Sequence, residues 1–444
     1  MRVLPGLGAF VALGRLALAQ QAPRELPGPS TPQPPPATAV AGALQPTDSL
    51  RLTRRQAVQE ALRQNPQIEA AREQTAQARA RRVTAVAVPD PSLGASFDDA
   101  PHPFNFGGGA ARNVGIGLDV PFPTRTRLNG RIASADIRAA ESNTQLQQQL
   151  VAASTSATYD SLLVARRQRA ILLEVRSLSA DFLARTQARF TAGTVAKLDV
   201  IRATVDVAQS DAALIANERD IANAQAALNR LLGRVIGAPI APADSLDVPP
   251  PLPDSTAIER VALGARPELA VAENEQRGQR ATTSLLKQFW LPDLTLGVSH
   301  DYAQPGSPVF STGIALPLPV FFWSHTKGDI AESQHREREL AASYRDLRAQ
   351  VTQDVRSAYA NANTALRQAL FLRDQLVPAA REAFRVASVS YALGGSSALD
   401  VLDTRRALQD AESQLASALA DANASRADLE RALGVPLTSL PTAP

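Results

Sequence analysis

No cysteine occurs in the 444 residues, and methionine occurs once and histidine four times. That absence excludes disulfide frameworks, thiolate-ligated zinc, iron–sulfur clusters, thiol catalysis and cysteine-borne lipid anchors. With so few soft or imidazole donors, a dedicated transition-metal site is not expected, and no cofactor is implied. Aromatics are only 5% of residues, and the net charge of +3 is too balanced for a chain that binds nucleic acid by neutralising phosphates. Beyond residue 19 no apolar run approaches the roughly 18–20 residues of a membrane helix. What the chain has instead is alanine, which favours long helices packed at close range.

Prolines show where those helices cannot be. Residues 1–19 read as a secretory signal, with Arg2, an apolar stretch from Val3 to Leu13 and an Ala17-Leu18-Ala19 cleavage triplet, although Arg15 interrupts the pattern. Residues 20–49 form a Pro-rich, extended linker. A second Pro-rich linker spans 239–253. The rest divides into two copies of one unit, 50–238 and 254–434, with a short tail at 435–444. Pro89-Asp90-Pro91-Ser92-Leu93-Gly94 recurs as Pro292-Asp293-Leu294-Thr295-Leu296-Gly297. Gly115-Ile116-Gly117-Leu118 recurs as Gly313-Ile314-Ala315-Leu316, and Gly193 with Leu198-Asp199-Val200 as Gly394 with Leu399-Asp400-Val401. Each copy closes on Leu-x-Arg-x-Leu-Gly, at Leu228–Gly233 and Leu429–Gly434. Ordered anchors at a nearly constant offset are the mark of duplication.

Each copy predicts a helix split early by proline (54–88 at Pro66, 256–288 at Pro267), two short strands near 91–122 and 292–322, then two long helices broken at Gly193 or Gly394. Pro378 predicts a kink. A helix from about Asn129 to Phe190 would rise ~90 Å. Heptad-spaced small residues (Val351, Val355, Ala358, Ala362, Ala369; Leu198, Ile201, Val205, Ala208, Ala212, Ile215) predict helix seams packed at shallow angles.

The strands alternate apolar with small or polar residues, as at Val114, Ile116, Leu118 and Val120, over runs of about ten residues, the length of a tilted membrane strand. Eleven of the twenty aromatics fall within 89–123 and 289–323. Phe122, Phe289, Trp290, Phe321, Phe322 and Trp323 stand at strand ends, where interfacial girdles form. Four strands cannot close a lumen in lipid, so copies must assemble. A soluble coiled-coil rod would explain the helices but not two strand pairs inserted within a repeated unit.

This plan resembles the TolC family of outer-membrane efflux ducts, in its Asn65-Pro66 and Arg266-Pro267 turns and its Phe/Tyr-x-x-Gly-x-x-x-x-Leu-Asp-Val tips at 190–200 and 391–401. Gly313–Phe321 with Lys327–Ala331 resembles the heavy-metal subgroup. The resemblance implies a mainly α fold with a membrane β-barrel sector. A homotrimer would close a twelve-stranded barrel in outer-membrane lipid above an α-helical periplasmic tunnel. It also implies a passive exit duct of a tripartite efflux system (pump-driven or type I secretion-like), partnered by a periplasmic adaptor and an inner-membrane pump, and no enzymatic activity. The alternative is a structural trimeric coiled-coil surface or periplasmic scaffold protein.

By the same resemblance Asp400 and Asp403, three apart on one helix face, would ring the tunnel mouth as its constriction. Tyr391 and Asp199 would hold the helix pairs closed, and Ser396 stands where a basic gate residue is expected. Asp199 and Asp400 would equally suit helix N-termini after glycine breaks. Gly193, Val195, Lys197, Leu198, Gly394, Ser397 and Leu399 are the expected adaptor-docking tips, where tight turns alone would also call for glycine. The four histidines lack a ligand-like spacing, and Gly107-Gly108-Gly109 lacks the following Lys-Ser/Thr of a phosphate cradle.

Overall fold

The computed structural model describes residues 50–98, 111–291, 293–301, 309–316 and 326–437. The signal, the first linker, most of the tail, Phe321, Phe322, Trp323, His102, His325 and the 107–109 glycines lie outside the described residues.

Thr53 starts α1 (Arg54–Gln64) with a reciprocal capping box to Gln56. Pro66 cannot donate into a continuing helix, so the chain restarts there as α2 (Pro66–Val86), with Asn65 accepting from the Gln67 amide. The second copy does the same with α5 (Ser255–Ala265) and α6 (Pro267–Leu286). The long helix α3 begins at Pro123 and ends at Thr191, earlier than the expected Asn129 because Pro123 itself serves as the first helical residue. At 69 residues it rises roughly 100 Å. Its return partner is α4 (Lys197–Leu231). In the second copy α7 (Thr326–Phe371) runs through a π turn (Leu372–Leu376) into α8 (Val377–Ala392), and α9 (Ala398–Leu433) returns. The irregularity foreseen at Pro378 is thus a π turn just ahead of it, which re-accommodates the missing amide.

Strands β2 (Ser92–Asp98), β3 (Ala111–Val120), β5 (Leu294–Asp301) and β6 (Val309–Ala315) form one antiparallel sheet in the order β2-β3-β5-β6. Three are shorter than the expected ten residues, at seven or eight. The register keeps one face apolar: Ile116 pairs with Leu93 and with Val298, and Leu296 with Ile314. That face is bare in the single chain, with Ile116 57% and Ile314 75% exposed. The other face carries Gly94, Gly115, Gly297 and Gly313, with Asn113, Asp119 and Thr295 among them. Helices follow the same order as the strands they feed, α2 on α3, α3 on α6, α6 on α7.

Two features of this region were not foreseen. Leu50–Leu52 (β1) pairs in parallel with Ile240–Pro242 (β4), so the second Pro-rich linker contains a strand rather than running as plain linker. Beneath it Tyr159 is fully buried and donates its hydroxyl to the Leu52 carbonyl at 2.7 Å; burial pushes its pKa up to about 12. The second correction concerns α4. Its apolar stripe Leu198, Ile201, Val205 and Ile215 is exposed, and the buried seam is Ala203, Asp206, Ser210 and Asn217. Small residues let α4 lie close along α3, which leaves the larger side chains facing outward. In α7 the expected seam holds, with Val351, Val355, Ala362 and Ala369 buried.

The two copies are joined to their own ends in the same way. The Asn65 side chain donates to the Leu231 carbonyl at 2.9 Å, and Arg266 donates to the Ala432 carbonyl at 3.2 Å. Gly233 and Gly434, both at positive φ, close α4 and α9 against the backbone of Gln64 and Ala265.

Candidate functional site

At the end of the helices away from the sheet, two inter-helix turns are built alike. Gly193 takes φ 74° and Gly394 φ 80°, left-handed values that glycine adopts without steric cost. The amide of Thr194 returns to the Arg189 carbonyl at 3.0 Å and that of Gly395 to Ser390 at 2.8 Å, ending α3 and α8 in Schellman fashion. Around these turns the surface is apolar: Leu393 is 84% exposed, and Leu198, Leu399 and Phe190 are exposed as well. Val195 is half-buried and Lys197 exposed.

Behind the turns a small core of Phe182, Ala203, Ala387, Tyr391, Ala398, Val401 and Leu402 ties α3, α4, α8 and α9 together. Tyr391 does not meet Asp199. Its ring lies 5.3 Å from that of Phe182, and the Arg189 guanidinium sits 4.6 Å over its face while donating to its carbonyl at 2.7 Å. Asp199 instead lies 3.7 Å from Arg202, one turn along its own helix. Ser396, where a basic residue was expected, donates to the Ala387 carbonyl at 3.1 Å. The cation beside Tyr391 therefore comes from α3, a residue the sequence did not single out.

Asp400 is the third residue of α9. Its Oδ2 accepts from the Ser397 amide at 2.9 Å and the Ser397 hydroxyl at 2.8 Å, and Ser397 Oγ accepts from the Asp400 amide. Those two donors hold the exposed carboxyl below its ordinary range, so it stays ionised. Asp403, one turn on, is exposed and makes no ion pair among the described residues. Asp400 thus caps its helix and also presents charge.

Just beyond Asp403 on the same helix, Arg405 of α9 forms an ion pair with Asp206 of α4, the side chains only 5% and 2% exposed. Burial lowers the Arg405 pKa, which Asp206 opposes. The pair is half satisfied: Asp206 Oδ2 and Arg405 Nε and Nη1 have no hydrogen-bond partner. Its signal in the sequence was a charge on a heptad stripe in each helix.

Toward the sheet, Trp290 is 62% and Phe122 40% exposed, and Phe289 is half-buried. His300 stacks edge-on to Phe310 at 4.7 Å. No group of three acidic, histidine or cysteine side chains suited to a metal occurs among the described residues.

Comparison with known proteins bears on the same regions. The family model described as "Outer membrane efflux protein" matches residues 57–234 and 260–435, one segment in each copy. The cobalt-zinc-cadmium resistance protein CzcC of Cupriavidus metallidurans is 25% identical over 68% of this chain and 73% of its own length. The pyoverdine export outer membrane protein OpmQ of Pseudomonas putida is 28% identical over 59% of this chain and 57% of its own. Among solved structures, the CmeC outer membrane channel of Campylobacter jejuni superposes with a TM-score of 0.74, covering 86% of this chain and 85% of that one at 17% identity.

Proposed function

The chain belongs to the outer membrane efflux protein family, and from that membership we propose that three copies close their four-stranded sheets into one twelve-stranded barrel over a periplasmic helical tunnel. As an efflux channel of the outer membrane it works with partners that load it from the periplasmic side. The observation that carries the trimer is the bare apolar sheet face, with β2 and β6 each paired on one side only. Lipid covers such a face but tolerates no open strand edge, so the edges must meet other copies. The exposed stripe of α4 is the helical counterpart, available to a neighbouring copy. Extraction in detergent followed by native mass determination is expected to give a trimer; a water-soluble monomer would overturn the assembly.

Conduction in this reading is passive, with no chemical step. The exposed apolar tips at Gly193–Leu198 and Gly394–Leu399 are the adaptor-docking surface, and Tyr391, clamped between Phe182 and Arg189, holds α8 against α3. Threefold symmetry would stack Asp400 and Asp403 into two carboxylate rings at the mouth, a constriction that favours cations. CzcC is named for cobalt, zinc and cadmium resistance, and cationic cargo would suit such rings here. Asp400→Ala/Asp403→Ala is expected to abolish divalent-cation block of single-channel conductance. Because Asp400 is held ionised by Ser397, block in the wild type should persist as pH falls into the ordinary carboxylate range and fade only below it. Unchanged block in the double variant would refute the ring.

A further inference from the structure

Lysine plus arginine and aspartate plus glutamate nearly balance over the whole chain, 46 against 43. They do not balance where three of the four helices meet the sheet; the fourth, α7, begins with Lys327 against Asp329 and Glu332. The last ten residues of α2, the first ten of α3 and the last ten of α6, with Lys287 after it, contain nine Arg or Lys and no Asp or Glu. Arg79 pairs with Glu141, Arg125 with Asp293 and Arg277 with Glu273. The remaining six, Arg81, Arg82, Arg127, Arg131, Arg280 and Lys287, are exposed and make no ion pair among the described residues. Burial holds the nearby Asp136 carboxyl above its ordinary range, and the Arg81 charge opposes that without an ion pair between them.

These three helix ends are neighbours, because α2 packs on α3 and α3 on α6. Between these helix ends and the strands lie the exposed Trp290, Phe122 and Val88, and directly beyond them the apolar sheet face. Within about ten residues the surface therefore passes from hydrocarbon-like to aromatic to cationic. An acidic protein partner would need the last layer only. A bilayer surface matches all three in order: acyl chains, the interfacial zone, and headgroup phosphates.

We propose that this collar binds anionic phospholipid headgroups of the periplasmic leaflet and fixes the depth and tilt of the channel in the membrane. The proposal uses the outer-membrane location and is independent of the carboxylate rings at the opposite end. Six unpaired cations per copy should give a preference that falls with ionic strength, since exposed charges are screened within about 10 Å at 0.1 M salt.

The test is native mass spectrometry of the full-length detergent-solubilised protein, given equal phosphatidylglycerol and phosphatidylcholine at low and high salt. The expected result is preferential retention of phosphatidylglycerol, reduced by salt. Arg81→Gln/Arg82→Gln/Arg127→Gln/Arg131→Gln/Arg280→Gln should lower that preference roughly tenfold or more, with the Arg→Lys set keeping it. If the five-fold variant does not assemble, Arg81→Gln/Arg82→Gln alone should give a smaller loss in the same direction. No preference in the wild type, or a preference untouched by neutralisation, overturns the proposal. So does a variant with intact lipid binding but altered single-channel ion selectivity, which would turn these side chains toward the lumen.

Discussion

Arg405→Ala is expected to destabilise the tip-proximal helix packing by about 3–5 kcal/mol, the usual cost of stranding one member of a buried ion pair. The arginine is the one cation that pairs with Asp206 among the described residues, and both side chains are almost wholly enclosed. Its removal leaves a carboxylate between α4 and α9 with neither solvent nor counter-charge. Limited proteolysis and hydrogen exchange across 398–410 should report the loss, as faster exchange and a new cleavage near the turns. A companion variant separates the net value of the pair from the cost of breaking it. Because three of its polar atoms lack partners, Arg405→Met/Asp206→Leu should regain most of the stability. Exchange rates in Arg405→Ala equal to those of wild type would sink the argument.

The second large effect concerns four glycines that share one backbone conformation and differ in their surroundings. Gly193, Gly233, Gly394 and Gly434 all have φ between 68° and 80°. Any L-residue there meets the left-handed penalty of about 1–2 kcal/mol. At Gly193 and Gly394 an added Cβ enters open space. At Gly233 it would lie 2.6 Å from the Gln64 carbonyl oxygen, and at Gly434 2.8 Å from that of Ala265. Those oxygens belong to helix ends fixed by the Asn65 and Arg266 bonds, so they cannot give way cheaply. Gly233→Ala and Gly434→Ala should thus cost roughly a further 1–3 kcal/mol from overlap, whereas Gly193→Ala and Gly394→Ala should stay near the backbone penalty alone. Thermal unfolding of the four single variants checks the ordering. Four equal shifts would mean that backbone conformation, not close approach, dictates glycine at 233 and 434.

How much of this was legible beforehand depended on the range of the physics involved. Proline and glycine act within a few residues, so the breaks at Pro66, Pro267, Gly193 and Gly394 could be read locally. Strand alternation is equally local, and the register of Ile116 between Leu93 and Val298 follows once the apolar face is known. Helix faces were harder. The apolar stripe from Leu198 to Ile215 looked like the seam of α4, but which stripe is buried depends on the partner helix, and α3 accepts the small-residue stripe instead. The candidate site suffered most. Arg189 reaches Tyr391 from 202 positions away, and Arg405 finds Asp206 across 199. Nothing in either local pattern names its partner. Asp400 was visible both as a helix cap and as a charge, and it occupies both roles.

The pairing of β3 with β5 is the place where one copy of the unit hydrogen-bonds to the other. Carried around by the repeat in the proposed trimer, β3 would become β6 and β5 would become β2 of the next chain. That trimer would be a ring of six staves built on one plan, with three seams inside chains and three between them. The inner seam is a template for the outer one. Gly115 faces Ser299 and Ile116 faces Val298 across it, so in the proposed trimer the repeat offsets would set Gly313 opposite position 96, and Ile314 opposite position 95, of the next copy. Cysteines introduced at 313 and 96, into a chain that has none of its own, would cross-link the ring into a covalent trimer only in that register.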